Sequence, residues 1–282
     1  MPDTAPVVLT IAGFDPSSGA GVTADIKTIA AHGCYGVSCI TALTVQSTAG
    51  VRRVVPVTPR LLIATLEELD SDLPIAAVHI GMLGNGKIAS AVAGFLQSRK
   101  LPNVVLDPIL KSSSGADLLD RAGRKVLVER MLPLATIITP NAAEAAALTG
   151  LAVSDPEEMT SAASRLHGMG APAVVITGGD LEKAIDLLSF PGSQGPQQEL
   201  FKAERQKSTS THGTGCAFAT AIACHLALGR GLPEAVLLAK AYVSAAIANA
   251  VPVGKGTGPV HHLYRMDEPR RQVKTGTGQD HN

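Results

Sequence analysis

Short apolar stretches alternate with amphipathic stretches along most of the chain. Residues 7–12 form an apolar run rich in β-branched side chains, and residues 22–32, after a loop rich in Gly, Pro and Ser, carry apolar side chains at helical spacing. This order of strand, loop and helix recurs. Further predicted strands are 37–43, 76–80, 104–106, 136–138 and 173–177, and further predicted helices are 60–69, 87–97, 216–228 and 235–250.

The predicted strands are short apolar runs without a polar face. Such runs are typical of strands buried on both faces of a parallel sheet, and right-handed crossovers then put helices on both sides. We therefore predict an α/β fold, a three-layer sandwich with a central, mostly parallel sheet. We expect one domain over residues 1–266 and a polar, disordered tail over 267–282. Residues 185–190 and 199–203 would form a hairpin around a flexible surface loop, 191–198.

Glycine and polar residues end these strands. The positions are Gly13, Gly81, Asp107, Thr139 and Gly178. Ligands of open parallel sheets bind beyond the carboxyl ends of the strands. The pattern therefore predicts one cleft built from several loops.

Composition and charge exclude several classes of protein. The 282-residue chain has 24 basic and 24 acidic residues, so it has no global basic field for nucleic acid or an anionic membrane. It shows no signal peptide, no apolar run of spanning length and no zinc-type cysteine spacing. We expect a cytoplasmic protein with no nucleic-acid or membrane partner.

The strongest local signal is Thr211-His212-Gly213-Thr214-Gly215-Cys216, which runs directly into the predicted helix 216–228. Two glycines allow a tight turn that exposes backbone N–H groups, and a helix start adds positive potential. The segment indicates an anion hole for a phosphate or a transition-state charge. An ordinary glycine-rich helix entry is the alternative. Neither a Walker A motif nor a Rossmann fingerprint occurs.

Two carboxylates follow separate predicted strands and are candidates for a shared cation. Mg²⁺ needs few protein carboxylates when phosphates and water fill its other positions, so Asp107 and Glu144 would suffice. Glu144 also lies three residues after Asn141, the spacing of a capping box, so helix capping is the alternative role.

The chain resembles the hydroxymethylpyrimidine/phosphomethylpyrimidine kinases of thiamine biosynthesis over about residues 7–262. Residues 11–48, IAGFDPSSGAGVTADIKTIAAHGCYGVSCITALTVQST, are similar to the N-terminal signature of that family. Other similar segments are IGML at 80–83, VLDP at 105–108, TPN at 139–141 with Glu144 and Ala145, THGTGC at 211–216 and VGKGTGPVHH at 253–262.

The resemblance implies a ribokinase-like fold, a homodimer, and ATP- and Mg²⁺-dependent phosphorylation of 4-amino-5-hydroxymethyl-2-methylpyrimidine, then of its monophosphate. It assigns residues to three groups. Gly13, Asp25, Gln46, Met82 and Ile109 would bind the pyrimidine; Asp107, Asn141, Thr177 and Gly179 the nucleotide, with Asp107 and Glu144 at Mg²⁺; and Gly213, Thr214, Gly215 and Cys216 would be catalytic.

Cys216 stands where related sugar kinases carry an aspartate base. A thiol has a pKa of about 8.5, which a helix N-terminus lowers, so Cys216 is a candidate general base. A packing role is the alternative.

Some positions depart from the family pattern. Thr177 stands where many members have a lysine that reaches the nucleotide phosphates, and Lys111 is a candidate replacement. Phe14 follows Gly13, where Ser or Thr is frequent. We interpret Lys240 as a solvated charge.

Two other functions remain open. Pyridoxal kinase is the near alternative, and Gln46 favours the pyrimidine because its amide can pair with a ring nitrogen and an exocyclic amine. A non-catalytic pyrimidine sensor is the alternative from another class, suggested by Thr177.

Overall fold

The computed structural model describes residues 5–112, 115–179, 181, 185–193, 195–202 and 208–266. The predicted tail, 267–282, lies outside the described residues. The strands are β1 Val7–Phe14, β2 Tyr35–Ser47, β3 Gly50–Pro56, β4 Ile75–Ile80, β5 Val104–Leu106, β6 Ile137–Ile138, β7 Val174–Ile176, β8 Ile185–Gly192 and β9 Gly195–Lys202. The α-helices are α1 Gly21–Ala31, α2 Pro59–Asp72, α3 Gly86–Arg99, α4 Arg121–Val126, α5 Ala142–Thr149, α6 Pro156–Gly168, α7 Thr214–Ala227 and α8 Leu232–Ala248.

The nine strands of the described chain form one sheet in the order β3-β2-β1-β4-β5-β6-β7-β8-β9. Pairing is parallel from β2 through β7, with Leu9 of β1 opposite Val37 on one side and Val78 on the other. β3, β8 and β9 pair antiparallel at the two ends of the sheet. The carboxyl ends of six parallel strands therefore meet at one edge.

Helices cover both faces of this sheet and create two separate cores. Along β1, Leu9 and Ile11 pack into the core under α2, α3, α5 and α6, whereas Val8 packs into the core under α1, α7 and α8. Burial on both faces explains why the parallel strands lack a polar face. The predicted three-layer α/β sandwich is confirmed.

α7 lies centrally on its face of the sheet, against β1, β4 and β5. Its residues from Ala217 to Cys224 are all buried, and most are alanines or other small side chains that allow close packing on the strands. This packing fixes the start of α7, and with it the THGTGC segment, above the carboxyl edge of the sheet.

The structure also corrects the predicted elements. β3, α4 and α6 were missed. The predicted flexible loop over 191–198 is wrong, because β8 and β9 continue pairing through Pro191 opposite Pro196 and Gly192 opposite Gly195. Pro196 has no N–H to donate, but β9 is an edge strand that pairs on one side only, so a proline is tolerated there.

Candidate active site

A cavity of about 1220 Å³ opens at the carboxyl edge of the parallel strands. Loops that are distant in sequence bring their polar residues together there. All but one of the residues that the sequence assigned to a site line it: Gly13, Gln46, Met82, Asp107, Ile109, Asn141, Glu144, Thr177, Gly179, Gly213, Thr214, Gly215 and Cys216.

The exception is Asp25, which lies behind the cavity wall. It is fully buried, and its carboxylate accepts hydrogen bonds from Thr10 Oγ1 at 2.6 Å and Thr220 Oγ1 at 2.8 Å, with His79 Nδ1 at 3.3 Å. Asp25 therefore does not reach the cavity in this structure, because α1 turns its side chain into the core between β1, β4 and α7. His79 was not predicted, although a histidine within the apolar run of β4 was a visible signal.

The predicted anion hole lies where α7 begins. Gly213, the N-cap residue, has φ +81° and ψ 7°. A Cβ built on it would lie 1.8 Å from the carbonyl oxygen of Gly19, so only glycine lets the two loops approach this closely. The first-turn N–H groups of a helix have no partner within the helix and can bind an anion. Here the N–H of Thr214 already donates to the carbonyl oxygen of Thr211 at 3.3 Å.

Asp107 follows β5 and is only 5% exposed on the cavity wall. Burial raises the pKa of its carboxyl group and His79 opposes that shift, but nearby Asp25 adds to it, giving a pKa of about 7. A Cβ at Gly215 would lie 4.0 Å from Asp107 Oδ2, so the carboxylate faces the anion hole across a short gap.

The Cys216 thiol lies in the same gap. Burial raises its pKa well above the ordinary value, the carboxylates of Asp107 and Asp25 add to the rise, and the N–H of Gly21 offsets only part of it. This direction is opposite to the pKa lowering expected from the helix start. Burial, with the two carboxylates adding to it, opposes the pKa lowering that a helix start would give.

Glu144 caps α5. Its Oε2 accepts from the N–H of Asn141 at 3.0 Å while its own N–H donates to Asn141 Oδ1 at 2.9 Å, and the predicted capping box is confirmed. Its Oε1 lies 3.4 Å from the N–H of Leu110. The described residues contain no cluster of three metal-ligating side chains. Asp107 and Glu144 nevertheless fit Mg²⁺ coordinated mainly by phosphates and water.

An ion pair on the cavity wall was not predicted from the sequence. The N–H of Gly178 donates to Asp186 Oδ1 at 3.0 Å, and Lys240 Nζ lies 2.5 Å from Asp186 Oδ2. The Lys240 side chain is only 14% exposed, so its interpretation as a solvated charge is wrong. Lys111, by contrast, is 63% exposed and lies 4.0 Å from Asp117.

The end of the cavity near β1 and β2 is shaped by Gly13, whose added Cβ would lie 2.5 Å from Met82 Cε. Gln46 lies here, with Oε1 3.2 Å from Thr44 Oγ1 and Nε2 3.3 Å from His212 Nε2. His212 Nε2 is in turn 2.9 Å from Asp15 Oδ2. Asp15 and His212 lie within recognisable motifs, but only the fold brings them together.

A mostly parallel sheet with a helix start and a buried carboxylate at its carboxyl edge, beside a cavity lined by Gln46, is an arrangement that suits a small-molecule kinase. The sequence profile of phosphomethylpyrimidine kinase matches residues 15–261, and the chain belongs to that family of ATP-dependent kinases. No helix in the described part of the chain is both long and apolar enough to cross a membrane.

Individual relatives agree with this family. The chain is 44% identical over 265 residues to the thiamine biosynthesis bifunctional protein ThiED of Geobacter sulfurreducens, covering 93% of this chain and 53%, about half, of that protein. It is 44% identical over 259 residues to the hydroxymethylpyrimidine/phosphomethylpyrimidine kinase of Salmonella typhimurium, covering 91% and 97%. An ADP complex of Bacillus subtilis pyridoxal kinase has a TM-score of 0.84 at 32% identity, covering 93% and 99%.

Proposed function

We propose that this protein transfers the γ-phosphoryl group of ATP to the hydroxymethyl group of 4-amino-5-hydroxymethyl-2-methylpyrimidine, and then phosphorylates the monophosphate to the diphosphate, in thiamine biosynthesis. The observation that carries the proposal is one cavity with Gln46 near the anion hole at the start of α7. An amide suits an aminopyrimidine edge, and the helix start suits the phosphate.

Four residues would hold the pyrimidine. Gln46 would pair with a ring nitrogen and the exocyclic amine, while the Met82 side chain and Gly13 would bound the ring. Ile109, which is also on the cavity wall, would bring its backbone to the same pocket. A ligand without the matching amine would leave part of the buried amide unpaired, at a cost of about 1–3 kcal/mol.

The reacting phosphate would lie between α7 and Asp107. The N–H groups of residues 213–216 would stabilise its charge. Asp107 and Glu144, which is in the first turn of α5, would hold Mg²⁺, which neutralises phosphate charge when bound. Positioning and charge neutralisation supply most of the catalysis of phosphoryl transfer. Since the raised pKa keeps Cys216 a thiol, we assign it contact with the hydroxymethyl group rather than the role of base.

The nucleotide would extend toward β7. Asn141 and Thr177 form an isolated β-bridge just beyond the ends of β6 and β7, and Gly179 also lies on the cavity wall. Lys240 lines the same end and is close to Asp186. We propose that it supplies the positive charge that Thr177 does not.

Mass spectrometry of the products tests this function, with the pyrimidine and pyridoxal supplied in competition and with ATP and Mg²⁺ each omitted in controls. Mono- and diphosphorylated pyrimidine are expected, and only with both ATP and Mg²⁺ present. Pyridoxal phosphate alone would show that the protein is a pyridoxal kinase. Pyrimidine binding without turnover would favour a sensor.

We also propose that residues 1–266 form a single kinase domain acting as a cytoplasmic homodimer, where ATP is available. The exposed apolar side chains of Leu43, Val45 and Val55 share one face of the β2–β3 edge, which supports contact with a second copy. Light scattering should give the dimer mass for the wild type and a lower mass for Val45→Lys. A monomeric wild type would refute this part.

A further inference from the structure

The orientation of the Gln46 side chain can be worked out from its neighbours, starting at Asp15. The Asp15 carboxylate accepts from Ser17 N–H at 2.8 Å and Ser17 Oγ at 2.7 Å through Oδ1, and from the N–H of Ala20 at 3.0 Å through Oδ2. Burial would raise the pKa of Asp15, but hydrogen bonds from His212 and Ser17 outweigh it and lower the pKa. Asp15 is therefore ionised at neutral pH.

An ionised Asp15 fixes the proton on His212. Because Nε2 of His212 lies 2.9 Å from Asp15 Oδ2, this nitrogen must carry hydrogen and donate it. If the amide nitrogen of Gln46 were the atom 3.3 Å from this Nε2, two hydrogen-bond donors would point at each other with no acceptor between them.

Thr44 gives the same result from the other side of the amide. Its hydroxyl has one hydrogen and lies 3.0 Å from the carbonyl oxygen of Phe14, which can only accept. The same hydroxyl lies 3.2 Å from the amide of Gln46, and its single hydrogen can be donated to only one of the two. When it goes to Phe14, the shorter contact, Thr44 Oγ1 is left to accept, which suits an amide nitrogen on this side better than an oxygen. The oxygen and nitrogen of an amide are assigned from such networks.

We propose that Asp15, His212 and Thr44 hold Gln46 in one orientation, with its carbonyl oxygen toward His212 and its amide nitrogen toward Thr44, and that this orientation determines how the pyrimidine binds. Every donor then has an acceptor. His212 Nε2–H is shared by Asp15 and Gln46, the Gln46 nitrogen donates to Thr44, and Thr44 donates to Phe14. The second N–H of the Gln46 amide and the second lone pair of its oxygen face the ligand.

The consequence for the substrate rests on the proposed function. This orientation of Gln46 selects one placement of the pyrimidine. The exocyclic amine pairs with the Gln46 oxygen and so lies on the His212 side, while the ring nitrogen accepts from the Gln46 N–H. The hydroxymethyl group is on the ring carbon next to the one bearing the amine. It is therefore turned toward Gly213 and the anion hole, whereas a reversed amide would turn it away. His212 and Thr44 are positioning residues for the reaction.

Nuclear magnetic resonance of the ¹⁵N-labelled wild type tests the orientation directly, without substrate. The Gln46 side-chain amide signals are assigned by their loss in Gln46→Leu. We expect a proton on Nε2 of His212 and nuclear Overhauser contacts from the Gln46 amide protons to the Thr44 methyl group. A bare Nε2, or contacts from those protons to the His212 ring instead, would overturn the proposal.

Kinetics of a matched pair of variants tests the consequence. Thr44→Val keeps the side-chain shape but removes the acceptor, and Thr44→Ser keeps the hydroxyl. The substrates are the aminopyrimidine and its analogue without the amine. The preference for the amine in kcat/KM should fall about tenfold in Thr44→Val, with a fall in kcat, and stay within about twofold of wild type in Thr44→Ser.

The two proposals fail in different ways. A wild type that phosphorylates no pyrimidine would refute the function, while resonance spectra would still decide the amide orientation. A wild type that phosphorylates the pyrimidine, with an unchanged preference in Thr44→Val, would refute the positioning role alone.

Discussion

Two glycines of the anion hole are predicted to respond differently to the same substitution. In Gly213→Ala the new Cβ would lie 1.8 Å from the carbonyl oxygen of Gly19 at a residue with φ +81°. In Gly215→Ala the nearest atom is Asp107 Oδ2 at 4.0 Å, an ordinary contact distance, and no left-handed conformation is required.

The magnitudes follow from these distances. A left-handed conformation costs a non-glycine residue about 1–2 kcal/mol, and the clash forces the loops carrying Gly213 and Gly19 apart, so we expect Gly213→Ala to lower the free energy of unfolding by about 2–3 kcal/mol. A displacement of about 1 Å at the anion hole would lower kcat/KM about a hundredfold. Gly215→Ala should leave stability unchanged or raise it by up to about 1 kcal/mol, because alanine favours the helix.

Gly215→Ala should still lose activity, because its methyl group enters the gap between the helix start and Asp107 where the phosphate must fit. We expect kcat/KM to fall about tenfold or more. Urea denaturation measures stability, and a coupled assay of ADP formation measures turnover. The reasoning is refuted if Gly213→Ala keeps wild-type stability, or if Gly215→Ala is destabilised as much as Gly213→Ala.

Three further predictions concern ionisable groups. Cys216→Ala should keep turnover within about tenfold of wild type in steady-state assays, because a thiol of raised pKa is a poor base; a loss of about a hundredfold or more would restore the base role. Lys240→Met should raise the KM for ATP more than the KM for the pyrimidine, and equal effects on both would remove Lys240 from the nucleotide site. Burial and, to a lesser extent, Lys27 lower the pKa of His262 to about 4. As pH falls below about 6.5, the unfolded state takes up the proton before the folded state does. The stability present above that pH is therefore lost as pH falls toward 4, and the free energy of unfolding is lower by about 2 kcal/mol at pH 5. Urea denaturation at pH 7 and pH 5 should show this loss in wild type and a smaller one in His262→Gln; equal losses would exclude His262 as a cause.

Several site residues could be predicted because they belong to local patterns. The capping box of Asn141 and Glu144 depends on two residues three positions apart, and it forms as expected. A capping box needs only the side chains and backbone of one short segment, so the sequence contains nearly all the information that specifies it. The helix start at Gly213 was also visible as glycines before an apolar run, but its close approach to Gly19 was not.

Other features depend on contacts between distant segments. Lys240 and Asp186 are 54 positions apart, and neither flanking pattern indicates the other. The hairpin of β8 and β9 was predicted, but its extension through residues 191–198 was not, because the exposed edge strand β9 has few apolar residues that would give a periodic signal. Asp25 was assigned to the substrate because it lies in a matching motif, but its side-chain direction depends on where α1 packs.

The parallel core strands and the capping box of α5 could be predicted from the sequence, because burial on both faces and a helix terminus leave direct local patterns. The raised pKa of Cys216, the burial of Asp25 and the proposed orientation of Gln46 could be worked out only from the folded structure. Each of these depends on charges or hydrogen bonds from segments far apart in the chain. Electrostatic and hydrogen-bond energies depend on distances of a few ångströms that only the folded packing sets.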